Sequence, residues 1–141
     1  RSLVFNAVLA ERIENGSWET AAPGDPVQLD GSGSWFIVEP GDEALPGRLK
    51  ALDVHPTGPL WGRGGPPGHG PGAELERAVA ARFALFAEGL AAQGLDQERR
   101  ALRLRVADLA WRIEGDVLEL SFGLPAGAFA TAVLREAVDV D

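Results

Sequence analysis

The stretch LRLRVADLAWRIEGDVLELSFGLPAGAFATAVLRE, residues 102–136, decides the fold class. Leu102, Leu104 and Val106 alternate with arginines, and Leu109, Trp111 and Ile113 alternate with Ala110 and Arg112. Such a period of two marks strands with one buried face. Glu114-Gly115-Asp116 is a turn, and Val117, Leu118, Leu120 and Phe122 continue as a strand. Segment 109–113 is therefore expected to pair antiparallel with 117–122. From Gly127 to Val138 the pattern becomes helical. Strands followed by a helix argue for an α+β chain. Within this stretch, residues 124–136 combine Gly127, Phe129 and Arg135, which a purely structural helix start does not need together. They read as the wall of a binding site.

Upstream, Leu3, Val4, Ala7, Val8 and Ile13 recur at helical spacing until Asn15-Gly16. Val27–Leu29 and Trp35–Val38 read as short strands around Asp30-Gly31-Ser32-Gly33. Residues 42–52 form a short helix only if Pro46 sits in its first turn. Residues 55–72, HPTGPLWGRGGPPGHGPG, are dominated by glycine and proline and predict a long irregular loop. Ala73 to Gln93 predicts one helix, with Leu75, Val79, Phe83, Phe86 and Leu90 on a common face and Gly94 as its stop.

The 141 residues carry no cysteine and no methionine. Disulfides and thiol chemistry are thereby excluded, and a reducing compartment is consistent with this. No run approaches the ~20 apolar residues of a membrane-spanning helix, so no membrane partner is expected. A chain that opens on Arg1 and lacks methionine is expected to be a piece of a longer protein. Net charge is −8, distributed as −7 over residues 1–98 and −1 over 99–141. That balance opposes non-specific nucleic-acid binding, which depends on neutralising phosphates. Inside the second part, Arg99, Arg100, Arg103 and Arg105 form a local basic cluster.

Each constellation has a bland reading beside its functional one. His55 and His69 lack further ligands at metal-binding spacing, so they read as solvated loop histidines and no metal is expected. The glycines of 62–72 lack the Gly-Lys-Ser/Thr ending of a phosphate loop, and a flexible surface loop is the simpler reading. No Gly-x-Ser-x-Gly elbow surrounds Ser32, Ser34 or Ser121. Asp25 and Asp30 read as solvated loop charges. The four-arginine cluster has two readings: Arg103 and Arg105 face solvent on a half-buried strand, or the arginines contact a phosphate backbone. Phe129 is either a core residue or a stacking platform for a nucleobase.

Several motifs in fixed order resemble the TruD family of tRNA pseudouridine synthases. RSLVFN at 1–6 and VLAER at 8–12 are similar to the opening helix of the family's insertion domain. GDPVQLDGSGSWF at 24–36 resembles its Gly-Asp-x-x-x-Leu-x-Gly-x-x-Ser-x-Phe stretch, and PTGPLWG at 56–62 its Pro-Gly-x-x-x-Trp-Gly loop. RRALRL at 99–104 resembles an Arg-Arg-Ala/Pro segment. FGLPAGAFATAVLRE at 122–136 resembles the C-terminal signature and is the most specific match.

The resemblance implies an enzyme that isomerises uridine 13 of tRNA to pseudouridine without a cofactor, in a monomeric, cytoplasmic parent. A catalytic aspartate attacks a flipped nucleotide, the glycosidic bond breaks, the base reorients and a C–C bond forms. The family's catalytic Gly-x-Lys-Asp stretch is absent, because Lys50 is followed by Ala51. No catalytic residue is therefore expected in this chain. The nucleophile would lie upstream of Arg1, and the chain alone is expected to be inactive. The resemblance implies residues 1–104 as the insertion domain and 105–141 as a C-terminal segment of the catalytic domain. It places Phe129 against the substrate, with Gly127, Arg135 and Glu136 supporting the active-site helix. It implies tRNA and the remainder of the catalytic domain as partners. The alternative is a non-catalytic RNA-binding or interaction module.

Overall fold

Ser2 to Glu14 form α1 in the computed structural model, which describes residues 1–139. Val4, Phe5 and Val8 fall on its buried face. Arg12, in its last turn, donates to the carbonyls of Ser17 and Thr20 and so fixes the segment that follows. Next come β1 (Pro26–Leu29), β2 (Trp35–Ile37), α2 (Leu45–Lys50) and β3 (Val54–Leu60). Pro46 does sit in the first turn of α2, and Asp42 accepts from the backbone N–H groups of Ala44 and Leu45 ahead of it. The first unit closes with α3 (Pro71–Arg82), α4 (Ala84–Ala92) and β4 (Glu98–Ala101), and ends at Arg103. Its sheet is antiparallel, in the order β2-β1-β3-β4.

Two apolar clusters hold this unit. One gathers Val27, Val38, Leu45, Leu49 and Val54, and the other Val4, Val8, Val79 and Ala80, with Trp61, Leu75 and Phe83 packed around it. Residues from Leu104 form a second unit. It contains β5 (Ala107–Glu114), β6 (Val117–Gly123) and α5 (Ala130–Ala137). β5 and β6 are an antiparallel hairpin closed by Gly115-Asp116, with Glu114 opposite Val117. Gly115 has φ +59, as a tight hairpin turn requires. The α+β class and the pairing of 109–113 with 117–122 are as read from sequence.

Four expectations are corrected. Residues 54–60 are not loop but the buried strand β3, despite Pro56 and Pro59. β3 is shared in halves: Val54–Pro56 pair with β1, and Thr57–Leu60 pair with β4. The stagger lets two residues without an N–H sit inside a sheet, and the Pro56 carbonyl still accepts from Leu102 N–H. The helix expected over 73–93 is broken at Phe83, whose φ/ψ of −118/36 is not helical. Phe83 turns into the cluster around Val4 and Val8, whereas α4 buries no side chain. The strand expected from Leu102 lies earlier, at 98–101, because that is where β3 offers a partner. Finally, α5 begins at Ala130 rather than Gly127.

Between the elements lies a buried ion pair. Arg99 donates two hydrogen bonds to the Glu76 carboxylate at 2.7 and 2.8 Å, with side chains 1% and 4% exposed. Removing one partner of such a pair leaves a charge stranded in a low-dielectric interior, at a cost of about 3–5 kcal/mol. Glu76→Ala is expected to lower the stability of the first unit by that amount, read as a fall in the urea midpoint at unchanged slope. Replacing both residues with apolar ones should cost less than the single change.

Candidate nucleic-acid interface

The segment that carries Phe129 begins where β6 ends. Leu124 and Pro125 lead out of the strand, and Ala128 N–H closes a turn on the Pro125 carbonyl at 3.1 Å. Gly127 has φ +85, a left-handed conformation that glycine adopts without strain. Phe129 follows in an extended conformation, φ −106 and ψ 117, as the N-cap of α5. Its carbonyl accepts from Ala132 N–H at 3.0 Å, so the backbone is anchored. The ring itself is 76% exposed. Phe129 is thus not a core residue of the second unit. It is a flat apolar surface held by a turn, at an end of a helix where backbone N–H groups are free.

Arg135 and Glu136 lie in the last turn of α5, both exposed. Arg135 is well placed for the helix dipole there. Among the described residues, neither side chain makes a hydrogen bond or ion pair.

The four arginines separate into two kinds. Arg99 and Arg103 point inward. Besides Glu76, Arg99 bonds Thr57 through its hydroxyl and its carbonyl. Arg103 donates to His55 Nδ1 and to the carbonyls of Leu49 and Val54. Arg100 and Arg105 are exposed. Arg100 sits with its guanidinium 5.7 Å from the centroid of the Phe5 ring, which orders it by a cation–π contact. The expectation of backbone contacts from all four is therefore corrected for Arg99 and Arg103, whose donors are engaged inside the domain. Neither reading, solvent-facing or phosphate-contacting, describes them.

Two further expectations fail for the same reason. His55 is buried, 3% exposed, and bonded to Asp30 and Arg103; it is not a solvated loop histidine. Asp25 is buried beside Arg12 at 3.8 Å and accepts from Ala22 N–H. Burial pushes the Arg12 guanidinium down from its usual pKa, while Asp25 and Glu76 hold it up. The side-chain partners Arg12–Asp25, Asp30–His55 and His55–Arg103 are 13 to 48 positions apart in the chain, and no periodic signal connects them. The one local hint was composition, since charged residues inside otherwise apolar stretches must find partners.

Comparison with known proteins bears on what this arrangement serves. The family model for tRNA pseudouridine synthase D (TruD) matches residues 1–137. This chain belongs to the TruD family. A tRNA pseudouridine synthase D from Nitrosococcus oceani is 51% identical over 140 residues, covering 98% of this chain and 39% of that protein. One from Methylococcus capsulatus is 47% identical over 142 residues, covering all of this chain and 40% of that protein. The crystal structure of the Methanosarcina mazei chain assigned as tRNA pseudouridine synthase D matches with a TM-score of 0.70 at 25% identity. That match covers 94% of this chain and 35% of the other. The chain thus spans about two fifths of the curated TruD relatives it matches.

For this TruD-family chain, the division of the arginines predicts opposite outcomes from one chemical change. Arg99→Gln is expected to destabilise the first unit by about 3 kcal/mol or more, since it strands buried Glu76. Arg100→Gln should leave stability within about 0.5 kcal/mol, as surface changes generally do. Thermal unfolding of the two variants side by side checks both.

Proposed function

We propose that this chain is the portion of a tRNA pseudouridine synthase that presents a stacking wall to uridine 13, while the attacking aspartate comes from another stretch of the parent polypeptide. The observation that carries the reading is the Phe129 ring, exposed on a turn that Gly127 makes possible. An extruded uracil needs a surface that repays its lost stacking, and a fixed aromatic ring supplies about 1–3 kcal/mol per base. The base must also rotate between glycosidic-bond cleavage and C–C bond formation. A wall that binds through its face, without directional hydrogen bonds, holds the ring while permitting that rotation. Membership of the TruD family supports the same assignment.

The hairpin face supports the rest. Leu109, Trp111, Ile113 and Leu118 are all exposed in this chain. Trp111 lies opposite Leu120 and Ile113 opposite Leu118, so these side chains share one face. Arg112 and Glu119 pair at 2.7 Å on the other. A face this apolar is a packing surface rather than a solvated one. The proposal assigns its cover to the remainder of the catalytic domain.

Two measurements test this. Incubated with unmodified tRNA, the chain alone should yield no pseudouridine; appreciable product would place the nucleophile within these residues and overturn the reading. In the parent enzyme, Phe129→Ala should lower kcat/KM about 5- to 150-fold, the equivalent of one lost stack. An exposed ring leaves the fold intact when it is removed, so unchanged thermal stability should accompany the loss.

A further inference from the structure

His55 lies in the buried strand β3, and its two ring nitrogens are engaged in opposite senses. Arg103 Nε–H points at Nδ1 across 3.2 Å. A guanidinium has donors only, so the hydrogen in that contact belongs to Arg103 and Nδ1 must offer its lone pair. Nε2 lies 2.7 Å from Asp30 Oδ1, an acceptor that calls for a hydrogen. Only the neutral imidazole carrying its hydrogen on Nε2 satisfies both neighbours. A second proton can be added at Nδ1 alone. There it would remove the lone pair that Arg103 uses and bring two cations into contact. Protonation of His55 and the hydrogen bond from Arg103 to Nδ1 therefore exclude each other.

Arg103 is not an ordinary surface residue. Its side chain is 9% exposed, and it also bonds the carbonyls of Leu49 and Val54, with Glu19 at 3.9 Å. Burial pushes its guanidinium down from the usual pKa, and Glu19 opposes this. It is the last residue of the first unit, and residues 104–106 after it join no strand. Asp30 meets the ring at Nε2 and Arg103 at Nδ1, with Glu19 3.9 Å beyond Arg103.

We propose that the His55–Arg103 contact is a proton-operated latch at the point where the chain leaves its first unit. It is closed while the imidazole is neutral and open once Nδ1 is protonated. The latch is independent of the stacking role assigned to Phe129, and either can fail without the other.

The test is a pH titration of the isotope-labelled chain by NMR, following the imidazole nitrogens of His55 and the Nε–H of Arg103. The closed state should show the Nε2–H tautomer. The protected Arg103 Nε–H signal should be lost in step with His55 protonation, and the amides of Leu104 to Val106 should shift with the same midpoint. An Nδ1–H tautomer, or an Arg103 signal that survives protonation of His55, overturns the proposal. Two variants separate the nitrogens. His55→Asn puts an amide oxygen near the Nδ1 position and cannot titrate, so the Arg103 signal should persist through the same range. His55→Gln reaches toward Asp30 and leaves Arg103 without its acceptor, so the signal should be absent throughout. Equal behaviour of the two folded variants also overturns it. Methyl signals of Val27 and Val54 report whether each variant is folded, and where one is not, the wild-type titration decides alone.

Discussion

The first unit depends on the contact between Arg99 and Glu76. Arg99 lies in β4 and Glu76 in α3, and the same guanidinium bonds both oxygens of Thr57 in β3. The Thr57 hydroxyl in turn donates to the Pro26 carbonyl in β1 at 2.7 Å. One planar group thus fixes a helix against three strands. Each ion would be costly to desolvate alone, and the paired geometry with its extra hydrogen bonds offsets that cost. Arg12 and Asp25 form a second pair nearby, and the charges are coupled: Arg12 is attracted by Asp25 and Glu76 and repelled by Arg99. Asp25 also packs against the start of α3. Its carboxylate lies so close to Gly72 that any side chain there would displace it. A net-neutral set of four charges gives the domain its register in a way that two small apolar clusters could not.

Local periodicity carried much of this fold. α1, the β1–β2 connection and the β5–β6 hairpin follow from spacing and turn residues alone, because each is built from contacts close in sequence. β3 did not, since Pro56 and Pro59 are strong evidence against an interior strand whenever both neighbours are assumed to run its full length. The half-and-half pairing that accommodates them is a property of two other segments. The break at Phe83 was equally hidden. No proline or glycine marks it, and Leu75, Val79, Phe83 and Phe86 keep a helical spacing straight through it. At the break Phe83 packs into a cluster that joins α3 to Val4 and Val8 of α1, which lie some 75 positions earlier.

The same division holds for the site. The left-handed turn at Gly127 was missed because the helix was expected to start there, while the exposure of Phe129 was legible as one of two readings. The directions of the arginines were not. Strand alternation placed Arg103 on a solvent face, yet no strand exists there and the side chain reaches back to His55. Arg99 and Arg100 are adjacent, and the alternation of β4 sends one into the domain and one out. A basic cluster read as a unit was therefore two structural anchors and two exposed cations. This matters for electrostatics, because the first unit, which ends at Arg103, presents fewer outward positive charges than its composition suggests.

Exposure of an apolar side chain carries different information in different settings. Leu109, Trp111 and Ile113 are exposed at every second residue of β5, in line with Leu118 and Leu120 across the hairpin. Regular alternation against the Arg112–Glu119 face is what a sheet shows when one side is meant to be covered. Phe129 belongs to no such stripe. It stands at the end of a turn, with backbone on both sides fixed by hydrogen bonds, and α5 buries no residue that would draw the ring inward. A packing residue is oriented by the surface it packs on. The backbone of Phe129 is fixed by Gly127 and the start of α5 before any partner arrives. The proposed stacking role gains from this, because backbone already held in place loses little freedom when a base settles on the ring.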